Sequence, residues 1–76
     1  MNNAFEVTPD DVSTALANIG KPVTDDSAQA MFDEYIAAEA DRIEKAALYG
    51  NEIEEQTNYA HAEIIAILKE AGVVKP

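Results

Sequence analysis

Cysteine and tryptophan are absent from this chain, histidine occurs once, and only five residues are basic. Each shortage closes off some chemistry. Without cysteine there are no disulfides, no thiolate metal sites and no cysteine nucleophile. The single His61 has no second imidazole to share a metal with, and Glu63, two residues on, points elsewhere around a helix. Helical spacing puts Thr57 and Ile65 beside it instead. Nucleophilic catalysis has only Ser13, Ser27 and a few threonines to draw on, and Ser27 holds an ordinary first-turn position. Neither a calcium loop of the Asp-x-Asp-x-Asp-Gly kind nor a phosphate-cradling glycine loop is present. The expectation is a protein that is not an enzyme, with no catalytic residues, no cofactor and no metal. Nor does any stretch approach the roughly 20 apolar residues of a membrane span. Met1-Asn2-Asn3-Ala4-Phe5-Glu6 lacks the positive region and apolar run of a leader, so a cytoplasmic location is expected.

What the chain does have is acid. Fifteen carboxylates against five basic residues give a formal charge of -10, on a chain that is 47% hydrophobic and so too apolar for charge-driven disorder. That balance argues against direct binding to nucleic acid or to an anionic membrane, both of which repel carboxylates. It suits a protein partner with a basic surface. At 76 residues the chain is expected to form a single small helical domain, 1–76. A domain of that size buries only about 60% of the surface its unfolded chain exposes, so self-association would help it.

Three helices are expected, at about 9–19, 25–49 and 52–71, after a loose leader through residue 7. Thr8 reads as the cap of the first, with Pro9 at its first position, and Asp10 and Asp11 beside the positive end of its dipole. Val7 and Val12 are spaced as a hydrophobic staple. Val12, Ala15, Leu16 and Ile19 form one apolar face, and Gly20 supplies a left-handed stop before Lys21-Pro22. The second helix opens on Thr24, Asp25 and Asp26. Its stripe runs through Ala28, Met31, Phe32, Tyr35, Ile36, Ile43, Ala46 and Ala47. Glu39 falls near the centre of that stripe, with Arg42 its nearest partner by helical spacing. The third helix gathers Ile53, Thr57, Ala60, Ile64, Ile67, Leu68 and Ala71 on one face, and Gly72 closes it, with Val73 and Val74 placed to fold back.

At Gly50 two readings compete. Gly50 can stop one helix while Asn51 caps the next and Glu54 completes a capping box. Alternatively, the apolar spacing runs on through the glycine as one helix from 25 to 71, about 70 Å long, which could bury its stripe only against a second chain. The stop and start signals coincide there and an interior glycine costs about 1 kcal/mol relative to alanine, so the hairpin is preferred. The expected fold is all-α: a three-helix domain, with the short N-terminal helix packed on a long antiparallel hairpin, forming a dimer.

The acids sort by place. Asp10, Asp11, Asp25, Asp26, Glu52 and Glu54 lie in first turns, where the helix dipole accounts for them. Asp33, Glu34, Asp41 and Glu44 lie opposite the stripe of the second helix, with only Lys45 at their edge, and together with Glu55 they form the expected partner-binding face. Such a ridge steers cations over about 8 Å at physiological salt. It can equally serve only to keep the domain dissolved. Ala30, Ala37 and Leu48 on the second helix and Tyr59, Ala62 and Ala66 on the third give outer faces of small residues with one aromatic, suited to self-association.

Val23-Thr24-Asp25-Asp26 opens a long central helix after a short one, with a further helix behind, and in these proportions the chain resembles the histone fold. The basic residues that grip DNA in that family are missing here. Small acidic helical proteins of this style are also common among phage and plasmid accessory genes, which is analogy rather than motif. The leading expectation is a non-enzymatic interaction protein whose acidic face engages a basic protein, one that handles nucleic acid and is inhibited by this mimic of a phosphate ribbon. The alternatives are a homodimeric structural or assembly protein with a merely solvated face, and an acidic histone-fold-like protein.

Overall fold

The computed structural model describes residues 5–75. Helices α1 (Pro9–Asn18), α2 (Asp25–Met31), α3 (Ala40–Ala47) and α4 (Ile53–Glu70) account for most of them, and no strand occurs among the described residues. The fold is all-α. With a longest dimension of 33 Å, it has no room for an unbroken helix from 25 to 71. Helix α3 packs against α4, and α1 lies against both α2 and α4.

Local signals set the helix ends. Thr24 accepts a hydrogen bond from the Ser27 N–H at 3.1 Å, satisfying one of the amides the first turn leaves unpaired. At Thr8 the link is made by Asp11, whose Oδ2 accepts from the Thr8 N–H at 2.8 Å. Gly20 and Gly72 sit at φ +78° and +80°, where a side chain would be strained. Each closes a Schellman motif. Lys21 N–H bonds to Leu16 C=O and Gly20 N–H to Ala17 C=O, and Val73 and Gly72 repeat the pattern on Leu68 and Lys69.

Gly50 works differently from the left-handed stop its sequence context suggests. It has no positive φ. The chain leaves α3 through successive three-residue hydrogen bonds, from Leu48 to Lys45, Tyr49 to Ala46 and Gly50 to Ala47. Glycine is required there by crowding, because a β-carbon would lie 2.5 Å from the Gln56 backbone nitrogen. The start of α4 is also displaced from the expected capping box. Glu52, not Asn51, is the N-cap, and Glu55, not Glu54, reaches back, accepting the Asn51 N–H at 2.8 Å.

Between α2 and α3 the helix expected over 25–49 is not uniform. A wide π turn at Phe32–Ile36 is followed at once by a tight 3-10 turn at Ala37–Glu39. One takes in more residues per turn than an α-helix and the other fewer, so the register errors offset each other. Ala28, Ile36, Ile43 and Ala47 are therefore all buried along one stripe, as uninterrupted α spacing would have them. Glu39, which an ideal helix would set between Ile36 and Ile43, has φ -109° and ψ 18° and stays partly exposed. Met31, Phe32 and Tyr35 pack at the edge of the core.

The core joins Val12, Ala15 and Leu16 of α1 to Ile36, Ile43 and Ala47, and to Ala60, Ile64, Ile67 and Leu68 of α4. Val74 folds back on it, its N–H bonded to the Leu68 carbonyl at 3.2 Å. The loose leader expected through residue 7 is corrected in part: Phe5 and Val7 are buried, while residues 1–4 lie outside the described residues. A small bundle gains by recruiting two more large apolar side chains, each contributing about 1.5–3 kcal/mol on full burial. Conversely Ile19, Ile53 and Ala71, expected on apolar faces, are exposed.

Candidate interaction surface

The carboxylates divide into those the fold holds and those it leaves free. Asp11 is the most tightly held. Its Oδ2 takes the Thr8 N–H and lies 3.2 Å from Thr8 Oγ1, while its Oδ1 lies 3.0 Å from Nε2 of the buried His61. With the carboxylate accepting, Nε2 carries the proton. Burial pushes the Asp11 carboxyl up, but the hydrogen bonds from His61 and Thr8 outweigh it and hold the group below its ordinary value. This pair ties the start of α1 to the middle of α4. Sequence spacing left His61 with Thr57 and Ile65; its actual partner lies 50 residues away in sequence.

Arg42 is the second holding point, and its partner is not Glu39. Its guanidinium reaches across to α4, where Nε bonds to Glu63 and the two terminal nitrogens engage Glu70 at 3.0 and 2.9 Å. The fork matches a carboxylate in geometry, and an inter-helix pair fixes the packing of α3 on α4 as an intra-helix pair could not. Arg42 holds the Glu70 carboxyl below the usual range, and the two carboxylates raise the arginine above its own.

The five expected partner-binding acids fall into both groups. Glu44 is half-buried and accepts the Val7 N–H at 3.4 Å, so it belongs to the seam with the N-terminal segment rather than to the outer ridge. Glu55 is exposed but engaged with Asn51. Asp33, Glu34 and Asp41 are exposed; Asp33 accepts only from Gln29 Nε2, at 3.0 Å, on its own helix. Among the described residues neither Lys21, Lys45 nor Lys69 forms an ion pair with any of them. Glu34 and Asp41 are seven apart, on one row, and that row continues to Leu48.

Of the residues expected to mediate self-association, Ala30, Ala37, Leu48, Tyr59 and Ala62 are exposed and Ala66 is half-buried. A larger apolar feature sits where α3 turns into α4, with Tyr49 81%, Leu48 59% and Ile53 55% exposed. Beneath this turn the Gln56 side chain donates to Gly50 C=O at 3.4 Å, and its own buried Oε1 has no partner among the described residues.

Chemistry finds little else to work with. The described residues form no pocket and no group of three or more side chains that could hold a metal ion. No helix among them is long and apolar enough to cross a membrane. No family model matches the chain, no curated protein matches it, and no solved structure matches its fold.

Proposed function

We propose that this is a non-enzymatic interaction protein that docks a basic protein partner on its acidic outer face and, in doing so, occupies a groove made for nucleic acid. The observation that carries this reading is the row of exposed, uncompensated carboxylates at Asp33, Glu34 and Asp41, with no lysine of the described residues paired to them. Held carboxylates have structural work. These have none inside the chain, and their summed field attracts cations before contact. In this reading the segment 25–47 and α4 act as an antiparallel hairpin that stiffens the ridge, and the partner handles nucleic acid because its surface is selected to receive phosphates.

Affinity recovery from native cell extract tests it, with the wild-type chain and an Asp33→Lys, Glu34→Lys, Asp41→Lys variant as paired baits. The expected partner is retained by the wild type alone, is released between about 0.1 and 1 M salt as screening sets in, and is displaced by duplex nucleic acid. A partner held equally by both baits, or held more firmly in high salt, would overturn the reading. The exposed apolar turn favours a second reading, a homodimeric assembly protein whose acids only solvate it. Mass in solution decides for or against that dimer.

A further inference from the structure

We infer that the Leu48-Tyr49 turn is the apolar anchor of the same docking surface, and that it receives one end of a basic amphipathic helix on the partner. This rests on the acidic-face reading and adds to it a place and a shape. Glu34, Asp41 and Leu48 recur at intervals of seven, so one row of the exposed surface passes from carboxylate to carboxylate to an apolar side chain. Tyr49 and Ile53 flank its end. The row spans roughly 20 Å at 1.5 Å per residue, about four helical turns of a partner.

The turn is built to be firm. Gly50 packs so closely on the Gln56 backbone that no β-carbon fits, and Asn51 is tied down by Glu55. Large apolar side chains displayed on a fixed turn lose little further freedom on binding, and tyrosine is a preferred anchor at the centre of interfaces. Charge selects the occupant. A second copy would bring its own excess of carboxylates against Glu34 and Asp41, whereas a lysine- or arginine-bearing helix would meet them with opposite sign, and Lys45 is the one cation beside the row.

Two synthetic peptides of about 18 residues and identical Lys, Ala and Leu composition test the inference by titration calorimetry. In one, a lysine row leads to a leucine-rich end; in the other the order is scrambled. The ordered peptide is expected to bind at least about tenfold more tightly, the equivalent of about 1.4 kcal/mol. A Leu48→Ala, Tyr49→Ala variant is expected to erase that preference with its helicity unchanged, since both side chains are exposed. An Asp41→Lys variant is expected to weaken both peptides. Equal binding of the two peptides, unaffected by the double variant, overturns the anchor while leaving the acidic face intact. Binding of neither at low salt overturns the acidic-face reading as well. A wild-type chain of doubled mass that the double variant returns to a monomer makes the turn a contact between copies, and overturns the inference.

Discussion

Asp11 and Asp41 carry the same carboxylate, and the fold treats them in opposite ways. Asp11 is drawn inward, where a backbone amide, a hydroxyl and a buried imidazole converge on it. Asp41 is turned outward with no basic partner among the described residues, one row along from Glu34. An acidic composition therefore conceals two populations of side chain. One works as hydrogen-bond acceptors in the construction of the bundle, and the other is a field directed at solvent. Substitution should separate them by stability in the first case and by association in the second.

The largest effect is expected at Asp11. Asp11→Ala removes the link at the start of α1, worth about 1 kcal/mol, and strands a buried imidazole at a further cost of about 1–3 kcal/mol. Urea denaturation should show the sum, about 2–4 kcal/mol. The same residue gives the comparison a pH signature. Its folded carboxyl lies below its unfolded value, so protons prefer the unfolded chain. Its contribution is complete above the ordinary carboxylate range and disappears as pH falls through the folded value. Glu70 is shifted in the same direction, so the contrast must be taken against Asp11→Asn. Over about pH 6 to 2 the denaturation midpoint of that variant should fall less steeply than that of the wild type.

A smaller loss is expected at Arg42, whose partners lie nearer the solvent. Arg42→Met should keep the apolar stem packed while deleting both inter-helix pairs. A reduced thermal midpoint, with the deficit shrinking in 1 M salt, on the order of a 3 Å screening length, would be the mark of a screened interaction. Least of all should happen to the fold when the free carboxylates are reversed. Asp33→Lys, Glu34→Lys and Asp41→Lys should each shift stability by no more than about 0.5 kcal/mol. A larger destabilisation would move them into the constructive population and remove the contrast.

Much of this architecture was legible in the sequence, and the boundary falls between local and distant causes. Thr24, Gly20 and Gly72 act on neighbours a few residues away, so their roles follow from order alone. The stripe of Ala28, Ile36, Ile43 and Ala47 is likewise a matter of period. Arg42 was paired with Glu39 because spacing along one helix is all a sequence displays. Glu63 and Glu70 become available only once α3 and α4 are packed. The same holds for Asp11 and His61, and for Gly50, whose necessity comes from backbone that arrives later in the chain. Phe5 and Val7 were passed over because no helical periodicity surrounds them. Of the candidate surface, exposure at Asp33, Glu34 and Asp41 could be anticipated from the polar face, whereas the attachment of Glu44 to Val7 could not.

The coupled wide and tight turns at Phe32–Ile36 and Ala37–Glu39 carry a consequence for the ridge above them. Asp33 and Glu34 ride on the wide turn while Asp41 stands on regular helix beyond the tight one. Rewinding that stretch by a single residue would alter the pitch between negative charges without unseating Ile43 or Ile64. The ruler laid against a partner is thus jointed near its middle, and its graduations can slide to match the spacing of the cations they meet.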